Sequence, residues 1–206
     1  MTLKATLESL TRIGWPVLRR THRADSCIAA TALALAVLRQ RGFIDAYPLT
    51  VRVTLTNAAA AAIIDAHPDG ITSPAQIAHW HAQRAKLVII GHGDAHMGRI
   101  NVETGRFVGH LVAIVPACGE APRGLLLDLS IGQAARPEYH LHVGPLSTAT
   151  TPAFLNGERE LIMQRGEGSR IAYEAFPSIT SYATAPDWQQ PERIAPALAA
   201  TLVAIS

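Results

Sequence analysis

The sequence predicts an α+β fold, and three observations predict it. A run of helix formers from Cys27 to Leu38 contains no Gly or Pro and is apolar nearly all round, so it belongs in the middle of the fold. Residues 1–90 read as helix-rich, whereas residues 91–206 read as short strands separated by turns. Helices and strands do not alternate at βαβ spacing, which favours an antiparallel sheet over a doubly wound parallel one. With 206 residues the chain is read as a single domain, 1–206.

In chain order, Leu3, Leu7 and Leu10 fall at helical spacing, so a short helix is expected over Thr2 to Leu10, before Gly14 and Pro16. Asp25 and Ser26 are good N-cap residues for the Cys27 helix, and Arg39, Arg41 and Gly42 are good stop signals. Leu49 to Leu55 alternates strictly and predicts a half-buried strand. Asn57 caps an alanine-rich helix running to Ala66. Ser73-Pro74-Ala75-Gln76 has capping-box spacing with Pro at the first helical position, so Pro74 to Arg84 is a helix. Strands are expected at Leu87–Ile90, Phe107–Val115, Gly124–Leu129, Tyr139–Val143, Glu160–Gln164 and Arg170–Phe176. Pro191 to Ile205 is a further helical segment despite Pro196.

Composition narrows the function classes. Apolar residues make up 49% and charged residues 17%, which suits a packed core and not a disordered chain. The formal net charge is +2 with no Lys/Arg cluster, so neither nucleic acid nor a membrane surface is expected as a partner. Two cysteines do not make a disulfide framework, and the first fifteen residues lack an apolar signal core. A reduced, cytoplasmic protein is the expectation. No cofactor is implied.

Chemistry concentrates on three residues. Cys27 sits in the first turn of its helix, where free backbone N–H groups and the helix dipole favour thiolate, the nucleophilic form. His110 and Asp128 lie on consecutive predicted strands. A hairpin with its loop centred on Gly119 sets Val115 against Arg123, Val112 against Leu126 and His110 against Asp128. Opposed residues have Cβ atoms about 5 Å apart, within reach of a His–Asp hydrogen bond. An Asp among Leu125, Leu126, Leu127 and Leu129 is costly to bury without such a partner. A nucleophilic thiolate needs a base held in one tautomer, and a carboxylate behind the base supplies that. The Cys27 N–H is the first oxyanion donor; His22, Thr21 and Gln133 are candidates for a second.

These residues resemble the transglutaminase-like and arylamine N-acetyltransferase branch of the papain-like cysteine superfamily. The resemblance is carried by Asp25-Ser26-Cys27 with its apolar helix, Arg41-Gly42-Phe43 leading to Val51–Leu55, Gly109-His110, and Leu127-Asp128. It spans roughly residues 21–130, about half the chain. It implies a papain-like fold in which a buried helix carrying Cys packs on an antiparallel sheet carrying His and Asp. It also implies cysteine-dependent acyl transfer or hydrolysis of an amide, isopeptide or thioester, with a peptide, protein or small acyl substrate. Two departures from the family stand in the sequence. The acetyltransferases' Arg-Gly-Gly before the Cys is absent, which weighs against acetyl-CoA as donor, and the aromatic-rich His-Ala-Trp stretch of many transglutaminase-like proteins reads Gly109-His110-Leu111.

Two other readings compete. One is a binding protein that keeps this fold without turnover. The other is a metal-binding protein: His92, Asp94 and His96 alternate, as do His140 and His142, and alternation on a strand puts ligands on one face. Cys118 falls in the proposed hairpin loop as an incidental exposed thiol.

Overall fold

The computed structural model describes residues 2–14, 16, 27–91 and 97–205. The fold is α+β: helices pack against a seven-stranded sheet whose pairings are all antiparallel. The helices are α1 (Leu3–Ser9), α2 (Cys27–Gln40), α3 (Ala58–Ala66), α4 (Pro74–Ala82), α5 (Pro152–Leu155) and α6 (Pro186–Ile205). The strands are β1 (Tyr47–Thr56), β2 (Leu87–Ile90), β3 (His110–Val115), β4 (Leu125–Asp128), β5 (Leu146–Ala149), β6 (Leu161–Gln164) and β7 (Arg170–Ala175). Their order is β5-β4-β3-β1-β7-β6, and β2 also pairs with β1, beyond the point where β3 leaves it.

The sheet separates two cores. On one face α2 buries every side chain from Cys27 to Leu35, then Val37 and Leu38. It packs on Leu111, Ala113 and Val115 of β3 and on Leu127, and α6 closes the layer with Trp188, Ala195 and Ala199. Leu33, Leu35 and Leu38 are at most 2% exposed, and full burial of such a side chain stabilises by about 1.5–3 kcal/mol. That is why a helix without a polar face is stable here and would not be at the surface. On the other face, Leu49, Val51, Val53 and Leu55 of β1 meet Val112, Ile114, Leu126, Ile171 and Tyr173. Ile131, Leu141 and Phe154 cover them. The alternation seen in β1 is therefore the period-2 signature of one apolar face.

Local signals behave as their chemistry requires. Thr2, Asn57 and Ser73 cap α1, α3 and α4, and the Ser73–Gln76 capping box forms in both directions. Gly42, at φ +97°, ends the turn after α2. The N-cap expected of Asp25 and Ser26 lies outside the described residues.

Several expected elements differ. Tyr139–Val143 is not a strand: Pro137–Tyr139 is a 3₁₀ turn, His140 is left-handed at φ +56°, and only Leu141 bridges back, to Arg136. The strand that pairs with β4 is β5, further along. The strand expected from Phe107 begins at His110, with Phe107 bridged instead to Ile100. The last helix starts at Pro186, since Pro is tolerated in a first turn. No helix among the described residues is long and apolar enough to cross a membrane.

Candidate active site

Asp128 ends β4 and His110 begins β3, so both sit where strands meet loops. Their strands pair with Ala113 against Leu127, Ile114 against Leu126 and Val115 against Leu125. Continued by one residue, this register sets Val112, not His110, against Asp128. The expected register is thus displaced by two. The cause is the turn: Cys118 bridges Ala121, and Gly124, at φ +73°, takes up an extra residue in the second strand. A displacement of two keeps every side chain on its face, so His110 and Asp128 remain diagonal neighbours on one side of the sheet.

The pair is bonded. His110 Nε2 and Asp128 Oδ2 are 2.8 Å apart, with His110 0% and Asp128 1% exposed. Asp128 takes three further hydrogen bonds: the Tyr173 hydroxyl donates to Oδ2 at 2.9 Å, and the Ser130 N–H and hydroxyl donate to Oδ1 at 3.0 and 3.1 Å. Burial alone favours the neutral carboxyl, but His110, Tyr173 and Ser130 outweigh it and hold Asp128 below the usual carboxylate range. Burial likewise opposes a charged imidazole. The charge and hydrogen bond of Asp128, with a smaller contribution from Cys27, overcome it and push His110 up to about 10.

Cys27 meets this pair at the end of the strand. It is the first residue of α2, its Sγ lies 4.0 Å from the Gly109 carbonyl oxygen, and one turn later Thr31 Oγ1 donates to the Leu111 carbonyl at 2.8 Å. The sulfur is close enough to stabilise the charged ring of His110. His110 Nδ1, the nitrogen Asp128 does not use, is buried and makes no aligned hydrogen bond among the described residues. Cys27 is 8% exposed, whereas Cys118, at the hairpin tip, is exposed; both are free thiols.

The arrangement brings together Cys27, His110 and Asp128 from the start of a helix and the ends of two strands. It gives a sulfur beside an imidazole whose far nitrogen is held by an ionised carboxylate, which is the chemical requirement for a thiolate nucleophile with a positioned base. No family model, curated protein or solved structure matches the chain.

The remaining candidates are distributed otherwise. His22 and Thr21 lie outside the described residues, as do His92, Asp94 and His96. Gln133 is in the 3₁₀ turn after β4, where its N–H donates to the Ser130 carbonyl and its own carbonyl accepts from Arg136; its bonds are to its own segment. His140 and His142 do not share a strand face, because that segment is a turn. Among the described residues no three His, Cys, Asp or Glu side chains are grouped to hold a metal ion. A cleft of about 510 Å³ between α1 and the β3–β4 hairpin, and one of about 240 Å³ between α2 and α6, include none of the three site residues.

Ser130 and Tyr173 were not anticipated. Ser130 had a local signal, since a Ser two residues after an Asp is suited to an Asx turn. Tyr173 had a weaker one: a Tyr in the apolar alternation Ile171, Tyr173, Ala175 must find a partner for its hydroxyl if buried.

Proposed function

We propose that the protein is a cysteine-dependent acyl-transfer enzyme or hydrolase acting on an amide, isopeptide or thioester. The observation that carries this reading is the buried His110–Asp128 pair at 2.8 Å with Cys27 beside the ring. The reacting form carries the proton on His110, as imidazolium, and leaves Cys27 as the thiolate that such a nucleophile requires. The sulfur attacks the substrate carbonyl carbon and forms a C–S bond. His110 gives its proton to the leaving amine or thiol as the C–N or C–S bond to that group breaks. The neutral imidazole then takes a proton from water or an acceptor amine, which attacks the acyl carbon. The bond to Cys27 breaks, and thiolate and imidazolium are restored. The N–H of Cys27 at the helix start is suited to the developing oxyanion. Asp128 keeps the ring's proton on Nε2, leaving Nδ1 for the sulfur.

The order of parts supports placing the chain near the transglutaminase-like and arylamine N-acetyltransferase branch of the papain-like proteins. A buried helix opens on Cys27, and antiparallel strands carrying His110 and then Asp128 follow it.

The test is covalent. The protein is incubated with a panel of aryl thioesters and peptide amides and analysed by mass spectrometry. The reading predicts an acyl adduct on Cys27 that is lost in Cys27→Ala and strongly slowed in His110→Ala. Acylation of Cys118 instead, or of neither thiol across the panel, contradicts it.

A further inference from the structure

We infer that Tyr173 is a positioning residue for this site, its hydroxyl sharing Asp128 Oδ2 with His110 and thereby fixing both the plane of the carboxylate and the pull it exerts on the ring. The inference rests on the proposed acyl-transfer reading and adds a member to its machinery from a strand on the far side of β1. Tyr173 lies on β7, directly across from Val53 of β1, and is 0% exposed. Its neighbours on that face are apolar, among them Val53, Val51 and Ile171. A phenylalanine would fill the same space without a hydroxyl to satisfy, and an unbonded buried hydroxyl is destabilising. The hydroxyl is accounted for by Asp128 Oδ2, 2.9 Å away.

The geometry makes the contact consequential. Asp128 accepts two donors on each oxygen: His110 and Tyr173 on Oδ2, and the Ser130 N–H and hydroxyl on Oδ1. A carboxylate so filled cannot rotate without breaking bonds on both sides. Tyr173 is a permanent donor, because burial and the adjacent carboxylate push its own ionisation well above the usual phenol range. The charged and titratable groups that bear on this cluster are Asp128 from β4, His110 from β3, Cys27 from α2 and Arg165 from the end of β6. Arg165 favours the phenolate, but it acts less than burial and Asp128, which oppose it.

Loss of the hydroxyl leaves His110 as the sole donor on Oδ2. The carboxylate then takes up a proton more readily in acid. More of its charge also falls on the imidazolium, which weakens the field the ring offers the sulfur. Both effects move the acid limb of Cys27 reactivity upward.

The experiment measures the pH dependence of iodoacetamide alkylation at Cys27 in the full chain carrying Cys118→Ser. The low-field proton resonance of the His110 Nε2–H is recorded in parallel. Tyr173→Phe is expected to raise the midpoint of the acid limb by about one pH unit and to move the resonance. Uniform 3-fluorotyrosine labelling keeps the ring but makes the phenol a stronger donor, and it is expected to move the limb the other way. The hydrogen bonds on Asp128 involve no other tyrosine, so Tyr47, Tyr139 and Tyr182 do not confuse that result. Should Tyr173→Phe fail to fold, the fluorotyrosine protein decides alone. A wild-type chain with no acid limb at Cys27 defeats the acyl-transfer reading itself. A normal wild-type limb that neither change moves, with an unmoved resonance, defeats the role of Tyr173 and leaves it a packing residue.

Discussion

Replacing Asp128 by Asn alters one atom in a site where that atom has no alternative role. The carboxylate receives four hydrogen bonds, at 2.8, 2.9, 3.0 and 3.1 Å, and every partner is a donor. A carboxamide has one acceptor oxygen, so wherever its NH₂ lies it faces two donors. On the Ser130 side it meets a backbone N–H that has no other orientation. On the His110 side it meets a ring that can change tautomer. The second outcome is therefore favoured: the oxygen stays with Ser130, the NH₂ donates to Nε2, and the ring proton moves to Nδ1. An imidazole protonated there cannot accept a proton from Cys27. Comparable triads lose about four orders of magnitude in rate on this change, equivalent to about 5 kcal/mol of transition-state stabilisation. Removing one partner of a buried charged pair also costs folding stability, about 3–5 kcal/mol. The assay follows acylation of Cys27 by an aryl thioester together with the thermal midpoint, so that rate is read per folded molecule. Once His110→Ala is made, Asp128→Asn should cost little more, because residues that act as a unit are non-additive. Rate lost only in proportion to folded protein, or additive losses in the double mutant, would refute the reasoning.

Three other outcomes follow from the same geometry. His110 ionises at about 10 in the folded chain against 6.5 for an ordinary imidazole, so its stabilisation is full below about 6.5 and is lost as pH rises through about 10. Asp128 is held low, so its contribution is present above the ordinary carboxylate range and is lost as pH falls through its depressed value. Thermal midpoints across pH should thus show a plateau on the acid side of neutrality, and the alkaline decline should flatten in His110→Ala. Cys27→Ala should keep the fold and abolish acyl transfer, since it removes little volume from the start of a buried helix; circular dichroism beside the thioester assay distinguishes this from unfolding. Gly124→Ala places a Cβ at φ +73°, 2.8 Å from Thr150 Oγ1 and 3.0 Å from the Val115 carbonyl oxygen. It should destabilise the β3–β4 hairpin by about 1–3 kcal/mol in urea denaturation, whereas Gly119→Ala meets nothing within 4 Å and should be far milder.

The parts of the site that were legible in the sequence were those governed by local composition and by period 2. The buried helix could be read from Cys27 to Leu38 because no polar face interrupts it. His110 and Asp128 could be put on one face because an error of two residues in register does not change the face. The register itself could not, since it depends on the extra residue accommodated at Gly124, and a count from the loop centre contains no sign of it. The Tyr139–Val143 alternation misled for a different reason. Leu141 is buried as a single anchor between turns, and its flanking histidines gave it the appearance of a strand. β5, which reads Leu146-Ser147-Thr148-Ala149, is too short and polar to announce itself; it exists because β4 offers it an edge. Tyr173 is 45 residues from Asp128, so no local pattern connects them.

The central claim is that His110 and Asp128 make Cys27 a nucleophile, and the ratio of its alkylation rate to that of Cys118 in the same molecule tests it most directly. The two thiols share buffer, reagent and fold and differ in surroundings: one is nearly buried beside a charged imidazole, the other exposed at a hairpin tip. Limited iodoacetamide treatment across pH, read by peptide mass spectrometry, gives both rates at once. The account predicts that Cys27 reacts faster than Cys118 at neutral pH despite its burial, and that His110→Ala reverses the order. Cys27 reacting more slowly than Cys118 at every pH, with His110→Ala making no difference, would contradict it.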